Sequence, residues 1–393
     1  MQSIESPHRD KRGASKVASE VLKKGGEVAS EVPGEASGFD FEGMRFGVKA
    51  WRASASDARE GGAPSVPIVF VHGFAQQAST WDDVAQLLTD AGARCFGFEL
   101  AGHGVGACSA GDGPAERSGF FDLRFQARAL LAFCGAVACD AGAAPVLVGY
   151  SMGGRVALQA ACLVAGDLRG GGKFDRISLR SSAAFAPCGR TGRLDMAESG
   201  QRDTAATPVG DAARMLAAAP FSALVLESAG LGPVDDAARE VLHERNFAWA
   251  ARVRGEGVSA FMDWWAGLPL FESQRILPDE QRERLRAGRL ANDTESLALS
   301  FERAGAHAMP SQGESIRALC ELAAKGIPVS YLAGELDAKY CKVASTLQSE
   351  SQGAISCCVV PAAGHSIHLE RPEAFGAILE EVVESCTPKP AAP

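Results

Sequence analysis

The chain has 393 residues, 46% of them hydrophobic and 22% charged, which suits one large α/β domain with insertions or two ordinary domains, and excludes a disordered or fibrous protein. Its net charge of -9 gives no general attraction to nucleic acid or to an anionic membrane, so an anionic ligand would need a local cluster of arginines. The 11 cysteines are odd in number and lack CxxC or zinc-type spacing, so they read as reduced core filler of a cytoplasmic protein rather than as disulfides or a metal site.

In chain order, residues 1–40 are polar and rich in Gly, Ser, Glu and Lys. They read as a disordered tail with at most one short helix near Val17–Lys23, because their apolar content cannot offset the entropy of ordering. The first twenty residues hold no apolar signal core, and no stretch reaches the roughly 20 apolar residues of a membrane span. Short apolar runs bounded by turn residues then predict buried strands at Met44–Trp51, Val66–Val71, Arg94–Leu100, Pro145–Tyr150, Ala223–Leu226, Val329–Leu332 and Ile355–Val360. Helical patterns lie between them, among them Trp81–Ala91, Phe121–Ala138 and Gly154–Val164. Strands alternating with helices predict an α/β fold, a mostly parallel central sheet with helices on both faces, binding its ligand at the carboxyl ends of the strands. Two segments break the rhythm. Residues 166–219 are Gly-, Ala-, Ser- and Arg-rich and read as a low-complexity insertion, whereas 234–313 are helical in pattern, rich in Trp and Arg, and read as a helical cap within a domain spanning 41–393.

Gly149-Tyr150-Ser151-Met152-Gly153-Gly154 carries the chemistry. It matches G-x-S-x-G with a strand entering and a helix leaving, the context of a nucleophile elbow. The serine occupies a strained turn, so its neighbours must be small for strand and helix to approach. A serine hydroxyl needs a base, and the base an orienting carboxylate, in the chain order Ser, acid, His. Asp337, past the strand Val329–Leu332, and His365, past Ile355–Val360, fit that order; Glu335 is the rival acid and His368 the rival base. The strand ending in His72-Gly73-Phe74 supplies the other half of an oxyanion hole, with the backbone N–H groups of Phe74 and Met152 as donors. His72 and His103 read as structural.

The elbow, HGF and GH motifs together resemble the α/β-hydrolase superfamily over nearly the whole ordered chain. GYSMGGR is similar to the MenH family, the 2-succinyl-6-hydroxy-2,4-cyclohexadiene-1-carboxylate synthases of menaquinone biosynthesis. So are LESAGLG (226–232), FMDWWAGLPLF (261–271), LPDEQRERLRAGRLAND (277–293), GELDAKY (334–340) and AGHSIHLERPEAF (363–375). The resemblance implies a lyase that eliminates pyruvate from a succinyl-bearing cyclohexene dicarboxylate without metal or organic cofactor. It also implies that His365 deprotonates Ser151, whose oxygen acts as a general base, and that Tyr150, Arg155, Arg245, Trp264 and Arg289 bind substrate. Charge logic agrees, since planar bidentate cations suit a small anionic polycarboxylate.

Alternatives remain for single residues: Arg155 in a salt bridge, Tyr150 in packing, Trp265 in place of Trp264, and Arg239, Arg252 or Arg254 in place of Arg245. The family's HGF-x-GS loop reads HGFAQQAS here, which leaves Gln76 or Gln77 to hold a substrate carboxylate near Phe74. The alternative functions are a carboxylester or thioester hydrolase of small acyl substrates and a catalytically silent ligand-binding protein of the same fold.

Overall fold

The computed structural model describes residues 36–51, 66–104, 118–169 and 219–387. The strands are β1 (Ala36–Phe41), β2 (Met44–Ala50), β3 (Ile68–Val71), β4 (Cys95–Phe98), β5 (Val146–Tyr150), β6 (Ala223–Glu227), β7 (Val329–Gly334) and β8 (Ser356–Val360). They form one sheet in the order β1-β2-β4-β3-β5-β6-β7-β8. β2 pairs antiparallel with β1 and β4, and every pairing from β4 to β8 is parallel. The helices are α1 (Asp82–Asp90), α2 (Leu123–Ala141), α3 (Met152–Arg169), α4 (Asp236–Ala266), α5 (Asp279–Leu290), α6 (Thr294–Ala304), α7 (Gln312–Ala324), α8 (Ala338–Glu350), α9 (Ile367–Glu370) and α10 (Pro372–Cys386).

Successive strand residues face opposite sides of a sheet, and a parallel sheet buries both. Val69, Val71, Leu147, Leu224 and Leu226 accordingly join a core with α2, α3 and α7, while Ile68, Phe70, Val146, Val148 and Val225 join one with α1 and α10. The chain leaves β3 towards β4 on one side, and β5 lies on the other. The loops after β3 and β5 therefore diverge and open a crevice at the strand ends, where such sheets bind ligands.

The sequence boundaries need two corrections. β1 begins at Ala36, so the expected tail end at residue 40 falls inside a strand; Phe39 and Phe41 pack on Phe133 and Phe125 at 5.3 and 5.5 Å, an anchor that average composition hides. Residues 1–35, with the helix expected near Val17–Lys23, lie outside the described residues. α3 continues to Arg169, into the segment expected as an insertion; residues 170–218 lie outside the described ones.

Between β6 and α7 the chain forms α4, a 3-10 segment at Pro269–Ile276, α5 and α6. α4 bends at Gly257, whose φ of 76° interrupts the helix. Asp235 and Asp293 cap α4 and α6 by accepting the N–H groups of Ala238 and Ser296. This excursion is closed at its neck, where the Gln312 N–H donates to the Pro233 carbonyl at 2.8 Å. A Cβ on Gly232 there would fall 2.0 Å from the Pro310 carbonyl oxygen. No helix among the described residues is long and apolar enough to cross a membrane.

Candidate active site

β5 runs directly into Ser151, whose φ of 50° is left-handed, a conformation costly for a residue with a Cβ. Two bonds hold it. The Ser151 N–H donates to the Glu227 carbonyl at 2.9 Å, and the Arg155 N–H donates back to the Ser151 carbonyl at 3.1 Å. The glycines are needed for the approach of α3 to the sheet: a Cβ on Gly153 would lie 2.3 Å from the Val71 carbonyl oxygen, and one on Gly154 2.5 Å from Ala229 Cβ.

The structure brings Ser151, His365 and Asp337 together. His365 Nε2 lies 3.2 Å from Ser151 Oγ, and its Nδ1 2.7 Å from Asp337 Oδ2. Asp337 Oδ1 accepts the Tyr340 N–H at 3.2 Å and so caps α8. With Asp337 accepting at Nδ1, the ring presents Nε2 to the serine as an acceptor. The two supporting loops are pressed together, since a Cβ on Gly334 would sit 2.1 Å from the Gly364 carbonyl oxygen. The rivals have other partners. Glu335 accepts the Ala362 N–H at 2.9 Å. His368 bonds to the buried Glu227 carboxylate at 2.8 Å and stacks on Trp81 with ring centroids 4.1 Å apart.

His72 and His103 are fully buried. His72 Nε2 accepts the Leu100 N–H, joining the loops after β3 and β4. Burial pushes His72 down to about 3 and His103 to about 4, so both stay neutral.

Ser151 and His365 open into a cavity of about 440 Å³. Phe74 lines it beside them, and Met152 opens α3; neither backbone N–H has a protein partner among the described residues. Arg155 lines the cavity, half-buried, and donates only to the Ala304 carbonyl at 3.1 Å, with no carboxylate in reach among the described residues. Burial, and more weakly the neighbouring Arg245, bring its guanidinium down to about 10. Arg245 also lines the cavity, lies over Trp249 at 4.6 Å, and keeps a buried Nε without a partner. Arg239, Arg252 and Arg254 are engaged elsewhere: Arg239 with the His307 and Met309 carbonyls, Arg252 with Glu256, and Arg254 with Glu295 and Glu302.

Other expected binders are displaced. Trp265, not Trp264, is on the cavity wall; Trp264 lies under Arg252 at 4.0 Å. Consecutive helix residues point about 100° apart, so the two adjacent indoles part, Trp265 to the cavity and Trp264 to Arg252. Arg289 is buried behind Phe271 rather than on the wall, donating to Gln274 Oε1 at 3.0 Å. Tyr150 is likewise off the wall, its hydroxyl bonded to Ser366 Oγ at 2.6 Å. Gln76 accepts the Gly73 N–H and Gln77 donates to the Gly288 carbonyl; neither reaches this cavity.

Sequence reasoning missed Lys339, Tyr340 and Lys342, which also line the cavity. The signal was available, because 339, 342, 343 and 346 recur at helical spacing along α8 and all face the cavity, as do 242, 245, 246 and 249 along α4. The described lining thus contains Arg155, Arg245, Lys339 and Lys342 and no Asp or Glu. In a chain of net charge -9, that concentrates positive potential over Ser151.

The alpha/beta hydrolase family matches residues 68–378. A 2-succinyl-6-hydroxy-2,4-cyclohexadiene-1-carboxylate synthase of Escherichia coli (strain SMS-3-5 / SECEC) is 28% identical over 323 residues, 82% of this chain and 96% of that protein. A protein named as a putative synthase of the same product in Bacillus subtilis (strain 168) is 32% identical over 166 residues, 42% of this chain and 57% of that protein. Among solved structures, MenH from S. aureus superimposes with a TM-score of 0.61 at 22% identity, covering 86% of this chain and 98% of that one.

Proposed function

The chain belongs to the alpha/beta hydrolase family, and on that premise we propose that it is a carbon–oxygen lyase of menaquinone biosynthesis. Its substrate is 2-succinyl-5-enolpyruvyl-6-hydroxy-3-cyclohexene-1-carboxylate, and its products are pyruvate and 2-succinyl-6-hydroxy-2,4-cyclohexadiene-1-carboxylate. The observation that carries this reading is the cavity over Ser151, lined by four cations and by no carboxylate among the described residues. A neutral acyl substrate needs no such lining, whereas a tricarboxylate does. The named relatives from Escherichia coli and Bacillus subtilis support the same reading.

In this mechanism Asp337 orients His365, whose Nε2 takes the Ser151 proton. The serine oxygen removes the ring proton beside the succinyl carbonyl. The freed electron pair moves through the ring alkene and expels the enolpyruvyl oxygen; the departing enolate takes up the proton held by His365, which restores the neutral imidazole, and the enol ketonises to pyruvate. The N–H groups of Phe74 and Met152 receive the charge that develops on the succinyl carbonyl oxygen. Arg155 and Arg245 bind carboxylates in the cavity, while Lys339 and Lys342, exposed at its edge, draw the anion in. The elimination consumes no cofactor, and a small polycarboxylate is the only partner it requires.

The test supplies freshly generated substrate to the purified protein and follows pyruvate, beside Ser151→Ala. Serine-dependent release with little cleavage of p-nitrophenyl esters is expected. Brisk ester cleavage with no acceleration over spontaneous decay would replace the lyase with a small-acyl hydrolase.

A further inference from the structure

The segment that carries the catalytic histidine is held by more polar bonds than its turn requires. Glu370, at the end of α9, is 7% exposed. Its Oε2 accepts the Gly364 N–H at 2.6 Å; its Oε1 accepts the Ser366 N–H at 3.3 Å and the Ser273 hydroxyl at 3.0 Å. His365 stands between the first two donors. Ser273 belongs to the cap, in the same 3-10 segment as Phe271, which lines the cavity and packs edge-on to His365 at 5.7 Å. A Cβ on Gly364 would come 1.9 Å from Ser273 Oγ, so the cap rests directly on the main chain beside the histidine. A second arm runs parallel: Arg289 holds Gln274, and Gln274 donates to Ser366 Oγ at 2.9 Å. That hydroxyl also meets Tyr150, the neighbour of the nucleophile.

The chemistry of the side chain is informative. No cation lies within ion-pair distance of Glu370 among the described residues, and a carboxylate buried without one is costly. Three donors converging on two oxygens require a group that only accepts, which a glutamine of the same shape is not. We propose that Glu370 is the positioning residue of the catalytic base. It fixes the peptide units on both sides of His365 and, through Ser273, makes the cap the outer half of that support. The cap is then part of the reacting machinery as well as its wall.

The proposal rests on the roles given to Ser151 and His365 and not on the lyase chemistry. It is tested by the rate at which a fluorophosphonate labels Ser151, which needs only the serine–histidine pair; wild-type protein that labels but releases no pyruvate leaves the test intact. Glu370→Gln is expected to slow labelling by about 10–100-fold, the range for a displacement of about 1 Å in a reacting group. Ser273→Ala, which keeps both main-chain bonds, is expected to slow it roughly 3–5-fold, and the double variant no more than Glu370→Gln alone, because the two act as one unit. The downfield proton NMR signal of the His365 Nδ1–H should shift in Glu370→Gln, which a role in stability alone would not cause. Wild-type labelling with an unmoved signal in Glu370→Gln would overturn the proposal. If that variant does not fold, wild-type labelling in Ser273→Ala overturns it.

Discussion

The floor of the site and its cap are built on different terms. In the floor, main chain meets main chain: Gly153 against the Val71 carbonyl and Gly334 against the Gly364 carbonyl leave no room for a methyl group. In the cap, side chains meet side chains: Arg245 lies over Trp249, Arg252 over Trp264 and Arg289 over Phe271, while Trp265 and Phe301 pack on each other and on Phe74 of the floor. Backbone contacts do not forgive substitution, whereas stacked planar groups can be exchanged or slid. The geometry of the chemistry is therefore set in the floor, and the choice of what reaches it is shared: Arg155, Lys339 and Lys342 come from the floor, and Arg245 with the aromatic wall comes from the cap.

Substitutions should fail differently in the two regions. The largest effect belongs to Ser151→Ala, which should lower the pyruvate-release rate by about 10³-fold or more with little change in Tm; retention of a tenth of the rate would break the comparison. Next is Gly153→Ala, expected to cost about 3 kcal/mol or more in thermal or denaturant unfolding, since the carbonyl it meets cannot move alone. The floor should also be acid-sensitive through His72 and His103. Their folded values lie below the usual 6.5, so the unfolded chain binds protons first as pH falls. Stability is thus full above pH 6.5 and declines towards pH 4, by about 2 kcal/mol for each histidine at pH 5. A denaturation midpoint unchanged between pH 7 and pH 5 would contradict this. In the cap-facing cavity, Arg155→Met should raise KM for the tricarboxylate by about 10–100-fold, the worth of one charge-assisted hydrogen bond, and lower kcat less. Least is Gly255→Ala in α4, where a Cβ meets nothing; unfolding should show a gain of up to about 1 kcal/mol.

Legibility followed the same division. Strands such as Ile68–Val71 are continuous apolar runs because both faces of a parallel sheet are buried, and the elbow glycines announce the approach they permit. Asp337 and His365 were legible from the fold's order of serine, acid and histidine together with their places just past strand ends. In the cap, Trp264 and Trp265 are neighbours on one helix, and it is Trp265 that packs on Phe74 and Phe301 at the cavity, a tertiary contact that periodicity does not carry. Arg289 reads as a substrate binder by the family-like motif at 277–293 and its place on a cap helix, yet its neighbours Phe271 and Gln274 turn it inward. The pairing of Glu227 with His368 and the clasp of Glu370 on Ser273 span 141 and 97 residues, and nothing local signals them. β1 was hidden for the opposite reason, its phenylalanines diluted by a polar stretch before them.

The closed neck of the cap has a consequence for how this chain can change over generations. The excursion leaves after β6 and is sealed by the Pro233–Gln312 contact at the first residue of α7, so its two ends are already joined whatever lies between them. Lengthening such a loop is cheap, about 0.6 kcal/mol for each doubling, and none of the strand register depends on it. Inheritance can therefore treat the cap as a cassette. New specificities can be tried there by insertion and deletion without reopening the geometry of the elbow, provided the replacement still supplies a hydroxyl to Glu370.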